Sequence, residues 1–456
     1  MNRVKQLYMN GIALLLFLIF LIPSSSFGID TNVIKVATAA IEIINDDSMA
    51  VGGGIFARYV KGQEGKLRAT ALIIEGNAKI CIVACDVIGL TRDILDDACK
   101  KIEAQEGIPF DNVFITASHT HSAPTTVTVH GYKRDEVFCK RAKDAIVSAV
   151  HAANEKLKTA GTAELFFAVG QENTVGQNSR YLLSDGTIFW TGTKDDIVRP
   201  TGPFDPELPV FAFKQPDGKL EALMFNHSTH NMGTRSNKRS PAFYGLAAQE
   251  LEQELGGTTL FLEGAAGSTH DYSSISVDER IIRIKNAVKE AFSEVEKKDV
   301  SRLVSIKKEF NFSIRTFDEA KEEKAVSYYC NKRMGGNRTA EDVIGVFRNM
   351  RQELAKHQGE IRKSWLHVIL IGDIALVGVP GEFFTKLGME IKRRSPFRYT
   401  YIAELTDDYI GYIFDKKAYE LGGYQVWMGL HSYVSPETGE AIVDNVVHIL
   451  DELSKK

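Results

Sequence analysis

The sequence of 456 residues contains few cysteines, and they form no cluster. An odd number of unclustered cysteines fits no zinc knuckle, and a disulfide framework is not expected in a chain of this size. Cys81 and Cys85 lie in an apolar run, where cysteines are usually buried as small hydrophobic side chains. We therefore expect a fold that rests on an ordinary hydrophobic core, with at most one pair of cysteines oxidised outside the cytoplasm.

The sequence also lacks an excess of basic residues, and it contains no internal repeat and no low-complexity tract. Its formal net charge is −4, with 55 Lys and Arg residues against 59 Asp and Glu residues. Binding of nucleic acid requires a concentrated basic surface. The sequence therefore gives no reason to expect nucleic acid as a partner, and it does not predict an oligomeric state.

The apolar run at the N-terminus, residues 11–23, is too short for a transmembrane helix, which needs roughly 20 apolar residues. Arg3 and Lys5 precede the run and small residues follow it, which is the pattern of a secretory signal peptide. We predict cleavage near Gly28, so that residues 1–28 are the signal peptide. An uncleaved anchor is the alternative. No cysteine stands at the exit for lipid modification, so we expect a periplasmic or secreted protein.

Apolar, β-branched runs at residues 71–74, 80–85 and 113–116 predict strands, and residues 92–104 have one apolar helical face. Such a strand, helix, strand unit predicts a right-handed crossover between parallel strands. The expected fold class is α/β, with a mixed or mainly parallel sheet flanked by helices. Around residues 300–364, charged sequence predicts a helical excursion that covers or flanks the site.

Polar motifs follow several predicted strands, and ligand sites of α/β sheets collect at the carboxyl ends of the strands. His119 and His121 come just after one strand, and two histidines two residues apart face the same side if the chain is extended. One of them can then bind a metal ion while the other faces a substrate. The alternative is that both are ordinary polar loop residues.

A second histidine pair and a carboxylate follow two further predicted strands. His227 leaves its strand directly, whereas His230 can cap the turn or face solvent, so we predict His227 as a ligand. Glu382 stands at a tight turn before a predicted helix, where an acidic residue can also serve only to oppose the helix dipole. Two histidines and one carboxylate are a common catalytic zinc sphere, whereas calcium and magnesium prefer more oxygen ligands. One zinc ion per chain is the predicted cofactor, at the carboxyl edge of the strands.

Five motifs follow one another along the chain: His119-Thr-His121-Ser-Ala-Pro124, Phe225-Asn-His227, Ala265-Ala-Gly267, Pro380-Gly-Glu382-Phe, and Leu405-Thr-Asp-Asp-Tyr409-Ile-Gly-Tyr412 with Gly423-Tyr424. In this order they resemble the catalytic domain of the neutral/alkaline, non-lysosomal ceramidases. The likeness covers about residues 35–433. It implies one catalytic domain at residues 29–456.

The resemblance implies roles for particular residues. It implies zinc ligation by His119, His227, Glu382 and Tyr424, although Tyr409 or Tyr412 could take the place of Tyr424. It implies that His121 works beside the metal as an acid/base or oxyanion partner. Arg180 and Tyr433 match substrate-binding positions, and a surface salt bridge is the alternative for Arg180.

The chain departs from the family pattern in two places. Where the family has a serine close to the scissile bond, this chain has His270, and Ser268 stands two residues earlier, so both are candidate catalytic residues. The chain also stops soon after the last motif, so the family's C-terminal immunoglobulin-like domain is expected to be absent.

The predicted function is zinc-dependent hydrolysis of an N-acyl amide, with N-acylsphingosine cleaved to a fatty acid and a sphingoid base as the leading reaction. The expected partner is a small amphiphilic or acylated substrate, which would allow peripheral membrane contact. Two alternatives stay open. One is a zinc esterase or deacylase that acts on acylated sugars or other small amides. The other is a non-catalytic exported module that binds metal or lipid.

Overall fold

The structure is a computed structural model that describes residues 33–335 and 338–455. Its strands are β1 Ile34–Glu42, β2 Arg68–Glu75, β3 Lys79–Cys85, β4 Val113–Ala117, β5 Thr162–Gln171, β6 Gly176–Asn178, β7 Tyr181–Leu183, β8 Ile197–Pro200, β9 Glu207–Lys214, β10 Leu220–His227, β11 Thr258–Glu263, β12 Thr269–Asp271, β13 Glu296–Lys298, β14 Leu303–Ser313, β15 Ile361–Ile371, β16 Ile374–Gly378, β17 Glu382–Phe383, β18 Tyr399–Ala403 and β19 Tyr412–Ile413. Its helices are α1 Arg92–Glu106, α2 Glu136–Leu157, α3 Ala242–Leu255, α4 Val277–Ser293, α5 Glu319–Arg333, α6 Arg338–Leu354, α7 Thr385–Arg394, α8 Lys416–Leu421 and α9 Thr438–Ser454. The predicted signal peptide, residues 1–28, lies outside the described residues.

A nine-stranded mixed sheet forms the larger half of the core. Its order is β11-β10-β9-β5-β1-β2-β3-β4, and β13 pairs with β5. Most neighbours are antiparallel, but β3 pairs with β4 and β10 pairs with β11 in parallel. The predicted unit of strand, helix and parallel strand is therefore confirmed as β3, α1 and β4.

A second sheet, of order β14-β15-β16-β18, packs face to face against the large sheet. Side chains alternate between the two faces of a strand, so Leu72 of β2 enters the core between the sheets while Ile73 enters the core under helices. From the small sheet, Ile369 and Leu376 fill the same inter-sheet core. Burial on both faces explains why these strands are almost continuously apolar.

Helices cover the two outer faces and complete four layers. Helices α1 and α2 pack on one part of the large sheet, and α3 and α4 pack on another part. Helices α7 and α9 cover the outer face of the small sheet. Asp135 caps the N-terminus of α2, where its side chain accepts a hydrogen bond from the backbone N–H of Phe138. The predicted mixed α/β class is confirmed.

The helical excursion is present as α5 and α6, but its predicted boundaries are too wide. Residues 303–313 form β14, which pairs with β15 along its whole length. The charges in this segment belong to a strand with one exposed side, in which buried Phe310 and Phe312 flank exposed Asn311. The excursion therefore joins two neighbouring antiparallel strands.

The cysteines and the apolar content fit a protein with an ordinary core. All five cysteines are free and buried, as predicted for Cys81 and Cys85. Burial raises the pKa of the Cys139 thiol to about 12, so this thiol is unreactive near neutral pH. Among the described residues, every helix is either too short or too polar to span a membrane.

Candidate metal centre

Three histidines and one glutamate meet where β4, β10 and β16 end. The Nε2 atoms of His119 and His121 lie 3.1 Å apart. Oε2 of Glu382 lies 3.5 Å from Nε2 of His119 and 3.3 Å from Nε2 of His230. His119, His230 and Glu382 are only 1, 0 and 4% exposed, whereas His121 is half-buried. These side chains form the candidate metal centre, at the sheet edge that the sequence pattern indicates.

Each of these three histidines is oriented by a backbone carbonyl group. Their Nδ1 atoms, in chain order, lie 2.7, 3.0 and 2.9 Å from the carbonyl oxygens of Ile88, Gly53 and Ala266. A carbonyl oxygen can only accept a hydrogen bond, so Nδ1 carries the proton of each neutral ring. Three Nε2 lone pairs therefore point into the centre. Such support of the outer ring nitrogen is typical of metal-binding histidines.

Glu382 brings a negative charge to the same point. Tyr409 donates a hydrogen bond of 2.9 Å to Oε1, while Oε2 accepts none from the described residues. Burial would raise the pKa of Glu382, but the facing imidazoles of His119 and His230 hold it well below its usual value. Burial and the neighbouring imidazoles also hold the pKa of His121 well below its usual value. The centre thus combines three imidazole rings with one buried carboxylate.

The spacing of the centre suits zinc. Zinc bonds of about 2.0–2.1 Å in a tetrahedral sphere place neighbouring ligand atoms about 3.3 Å apart. The distance from His119 to His121 is 3.1 Å, and the distances from Glu382 to His230 and His119 are 3.3 and 3.5 Å. Imidazole nitrogens with one carboxylate also match the ligand preference of zinc. The donor set therefore fits a zinc ion on both spacing and chemistry.

The backbone around the centre is strained or closely packed. His119 has a φ of 54°, in the left-handed region that side chains other than glycine rarely adopt. Gly53 has a φ of 87°, and a Cβ atom there would lie 2.5 Å from Cβ of His121. A Cβ atom on Gly267 would overlap the backbone of Glu382. Strain of this kind collects at functional sites.

The structure places His227 outside the centre and His230 inside it. Nδ1 of His227 lies 2.5 Å from the Tyr244 hydroxyl, and its Nε2 lies 2.9 Å from the carbonyl oxygen of Glu172. Both ring nitrogens are thus occupied by groups away from Glu382. His230, which the sequence analysis ranked second, points at Glu382 because the chain turns after β10. The histidine pair was found from the sequence, but its member at the centre is the other one.

Two tyrosines contact residues of the centre, whereas the predicted ligand Tyr424 contacts His130 instead. Tyr409 bonds to Glu382, and the Tyr412 hydroxyl lies 3.3 Å from Nε2 of His230. The Tyr424 hydroxyl instead lies 3.0 Å from Nε2 of His130. Burial raises the pKa of Tyr424 well above its usual value, and the nearby carboxylate of Glu382 adds a smaller effect in the same direction.

The two candidates from the altered loop have different surroundings. The Ser268 hydroxyl is buried against α7, where it donates to the Thr385 hydroxyl at 3.1 Å and accepts from the Thr385 N–H at 3.2 Å. His270 stacks on His230 with ring centroids 4.4 Å apart. His270 therefore borders the centre, whereas Ser268 holds the start of a helix.

Arg180 and Tyr433, the predicted substrate-binding residues, are held by protein groups. Arg180 is 2% exposed and donates to the side chain of Gln425 and to the carbonyl oxygens of Ala418 and Gly422. Tyr433 is a half-buried residue whose ring lies 6.2 Å from that of Phe312 in the small-sheet core. No contact of either side chain with the centre is seen in the described part of the chain.

Glu404 is a functional candidate that the sequence analysis missed. Its Oε2 accepts hydrogen bonds from the N–H groups of Ala266, at 3.0 Å, and Phe383, at 2.7 Å. One carboxylate oxygen therefore ties the loop that orients His230 to the strand that carries Glu382. The signal for it was its place directly after β18, another strand that ends at the same edge.

The layers and the buried site define a four-layer α/β protein with a candidate zinc centre at the strand ends. No family model and no curated protein matches the sequence. Among solved structures, the chain is similar to a neutral ceramidase from Pseudomonas aeruginosa, with a TM-score of 0.69, 16% identity, and coverage of 92% of this chain and 75% of that chain. A second similar structure is a ceramidase complexed with C2, with a TM-score of 0.70, 16% identity, and coverage of 93% and 76%. The chain has the fold of the neutral ceramidases, as its motifs predicted.

Proposed function

We propose that this protein is a zinc-dependent hydrolase of N-acyl amides, with hydrolysis of N-acylsphingosine to a fatty acid and a sphingoid base as the reference reaction. The observation that carries the proposal is the convergence of three Nε2 lone pairs and one carboxylate oxygen that accepts no hydrogen bond from the described residues. Such a buried set repels itself unless a cation lies between its members. The similar solved structures are ceramidases, and this similarity supports the choice of reaction.

One zinc ion per chain would be held by His119, His230 and Glu382. In this proposal His230 replaces His227, because only His230 faces Glu382. Tyr412, near His230, and Tyr424, the position implied by the family resemblance, are the tyrosine candidates for the remaining contact. A bound zinc ion would polarise the scissile carbonyl group and make water more acidic.

His121 is proposed as the acid/base residue. It is the one half-buried member of the centre, and the Gly53 carbonyl fixes its ring so that Nε2 faces the proposed ligand His119. Nε2 would take a proton from water as the water oxygen attacks the carbonyl carbon. The same atom would then give that proton to the nitrogen of the departing amine. A purely structural metal site has no need of such a spare, accessible histidine.

Metal analysis of single variants tests the ligand set. The purified protein should hold one zinc per chain, and His119→Ala, His230→Ala and Glu382→Gln should lose it. His227→Gln serves as the matched control and should keep zinc, since both of its ring nitrogens bond elsewhere. If the His227 variant lost zinc and the His230 variant kept it, His227 would be the ligand, as the sequence predicts.

Turnover tests the reaction. The zinc-loaded protein should release the amine from N-acyl substrates, and His121→Ala should keep zinc while the rate falls roughly 10²–10⁴-fold. Faster cleavage of O-acyl sugars than of N-acyl amides would favour the esterase or deacylase alternative. Zinc binding without any turnover would favour the non-catalytic module.

Export is proposed on the strength of the N-terminal pattern alone. The mature protein should begin near Ile29 and be periplasmic or secreted, with peripheral membrane contact if its substrate is amphiphilic. N-terminal sequencing of the exported protein tests this, and a retained Met1 would contradict it.

A further inference from the structure

A cavity of about 380 Å³ opens beside the candidate metal centre. Two of its lining residues stack on residues of the centre or its surroundings. His270 stacks on His230, and Trp190 lies parallel to Tyr424 with ring centroids 4.7 Å apart and an interplanar angle of 4°. A molecule in this cavity would therefore reach the centre past His270, which makes the cavity a candidate substrate pocket.

The charged residues that line the cavity are Asp271 and the exposed Lys194. Asp271, the carboxylate in the lining, is paired with Arg280 at 2.7 Å. Lys194 forms no ion pair with any described residue. Its Nζ lies instead 5.4 Å from the ring centroid of Phe189 and 6.0 Å from that of Tyr181, both of which also line the cavity. The cavity thus presents one positive charge above aromatic rings.

The rest of the lining combines polar side chains with aromatic ones. Gln177, Ser179 and Gln425 contribute polar side chains, and Trp190 and Phe189 contribute flat apolar surface. The volume is at the lower end of the roughly 300–1,000 Å³ usual for small-molecule pockets. The cavity is therefore large enough for a small polar part of a substrate, which would lie beside aromatic surface.

We propose that this cavity is a subsite for an anionic group, so that the preferred substrates are N-acyl amides that carry a carboxylate close to the scissile bond, as in N-acylated amino acids. Lys194 would supply the charge-assisted contact, and the amide and hydroxyl side chains would complete the recognition. The hydrolysis of the amide bond in these substrates rests on the proposed function, whereas the binding of the anion does not.

The test compares N-lauroylglycine, which ends in a carboxylate, with N-lauroylglycinamide, which ends in a neutral carboxamide. The wild-type protein should prefer the acid, with the difference in KM rather than in kcat. Lys194→Met, which keeps the aliphatic stem, should reduce the ratio of the two kcat/KM values about tenfold, as for the loss of one charge-assisted hydrogen bond. Lys194→Arg, which keeps the charge, should preserve the preference. Equal ratios in the wild type and Lys194→Met would overturn the subsite.

Binding provides a readout that does not depend on turnover. N-lauroylglycine should quench the tryptophan fluorescence of the His121→Ala protein in a saturable manner. The double variant His121→Ala, Lys194→Met should bind the compound about tenfold more weakly. Binding of this kind in a protein that hydrolyses no substrate would leave the subsite standing and refute the proposed hydrolase. Hydrolysis of both compounds, with no effect of Lys194→Met on rate or binding, would support the proposed hydrolase and refute the subsite.

Discussion

At the scale of single residues, Gly53 fixes the position of the proposed acid/base residue. Its carbonyl oxygen bonds to Nδ1 of His121, and a Cβ atom on it would press on the His121 ring. Gly53→Ala should therefore lower the hydrolytic rate by at least tenfold, because the ring must move away from its working geometry. The zinc content should be unchanged, since the added Cβ atom would press on His121, which is not a proposed zinc ligand.

Gly54→Ala is the matched control for this prediction. Gly54 has an ordinary φ, and a Cβ atom there would meet only the Phe56 carbonyl oxygen at 3.4 Å. Its activity should stay close to that of the wild type. Steady-state kinetics and metal analysis of both variants decide the matter, and full activity in Gly53→Ala would show that His121 does not need this position.

Glu263 makes a separate prediction, on pH dependence. Neither of its carboxylate oxygens accepts a hydrogen bond from the described residues, and its side chain is 0% exposed. Burial, together with the negative charges of Glu404 and Glu382, raises its pKa well above the usual value. A raised pKa means that the folded state holds the proton more tightly than the unfolded state, so stability is greatest below the unfolded pKa and falls as the pH rises.

Glu263→Gln removes this titration and should stabilise the protein near neutral pH by roughly 1–3 kcal/mol. The gain relative to the wild type should grow between pH 5 and pH 8. Urea unfolding at both pH values measures it, with Glu290→Gln, at an exposed position, as the control for loss of one charge. A gain that is the same at both pH values would refute the explanation by protonation.

The sequence indicated the sheet edge at which the candidate centre lies, but it ranked His227 above His230, the histidine that faces Glu382. His119 and Glu382 follow strands directly, so the edge of the sheet predicts their place. The choice between His227 and His230 depends on how the chain turns after β10 and on Tyr244 and the Glu172 carbonyl, which hold His227 from distant parts of the chain. No local pattern reports such partners.

At the scale of elements, Arg180 links the segment before β7 to the segment around α8. Its guanidinium group donates to Gln425 at 2.9 Å, to the Ala418 carbonyl at 3.2 Å and to the Gly422 carbonyl at 2.6 Å. Because Arg180→Met removes the donor from these buried and half-buried acceptors, it should lower the free energy of unfolding by about 2–4 kcal/mol. Denaturant unfolding measures this loss.

The exposed pair of Arg393 and Glu390 offers a control, since Arg393→Met should cost at most about 1 kcal/mol. The substrate-binding role implied by the family resemblance makes the opposite prediction for Arg180. A higher KM with unchanged stability in Arg180→Met would favour that role over the structural one.

Elements were predicted best where apolar periodicity was strong, as in β3, α1 and β4. The strand β14 was missed because its charged residues, such as Lys308 and Glu309, suggested a helix. Their solvent-facing side chains are compatible with a strand once β15 supplies the paired backbone. The pairing partner lies beyond α5 and α6, so the local sequence could not show it.

At the scale of the whole molecule, the centre joins segments that come from both sheets, since His119 and His230 follow strands of the large sheet and Glu382 follows a strand of the small one. A ligand that binds only the folded state stabilises it by about 4 kcal/mol at a thousandfold excess over its Kd. Removal of zinc with a chelator should therefore lower the free energy of unfolding by a few kcal/mol, and added zinc should restore it. Restoration by magnesium alone would contradict the ligand chemistry, and no loss on chelation would exclude a bridging metal.

The packing of the two sheets against each other could not be predicted from the sequence. Strands that are apolar on both faces show only that both faces are buried. Whether a helix or a second sheet covers each face depends on topology, and the inter-sheet core brings residues such as Phe114 and Ile369 together from distant parts of the chain.

The excursion of α5 and α6 leaves and re-enters the molecule at one place, because Ser313 and Ile361 are partners in the last pair of β14 and β15. From there it reaches the candidate pocket, where the Tyr329 hydroxyl accepts a hydrogen bond of 2.6 Å from the Trp190 N–H. A segment with adjacent ends can be exchanged for another of different length without a change in strand register. Evolution or design can thus exchange the wall of the candidate pocket, while the sheets keep the candidate metal centre in place.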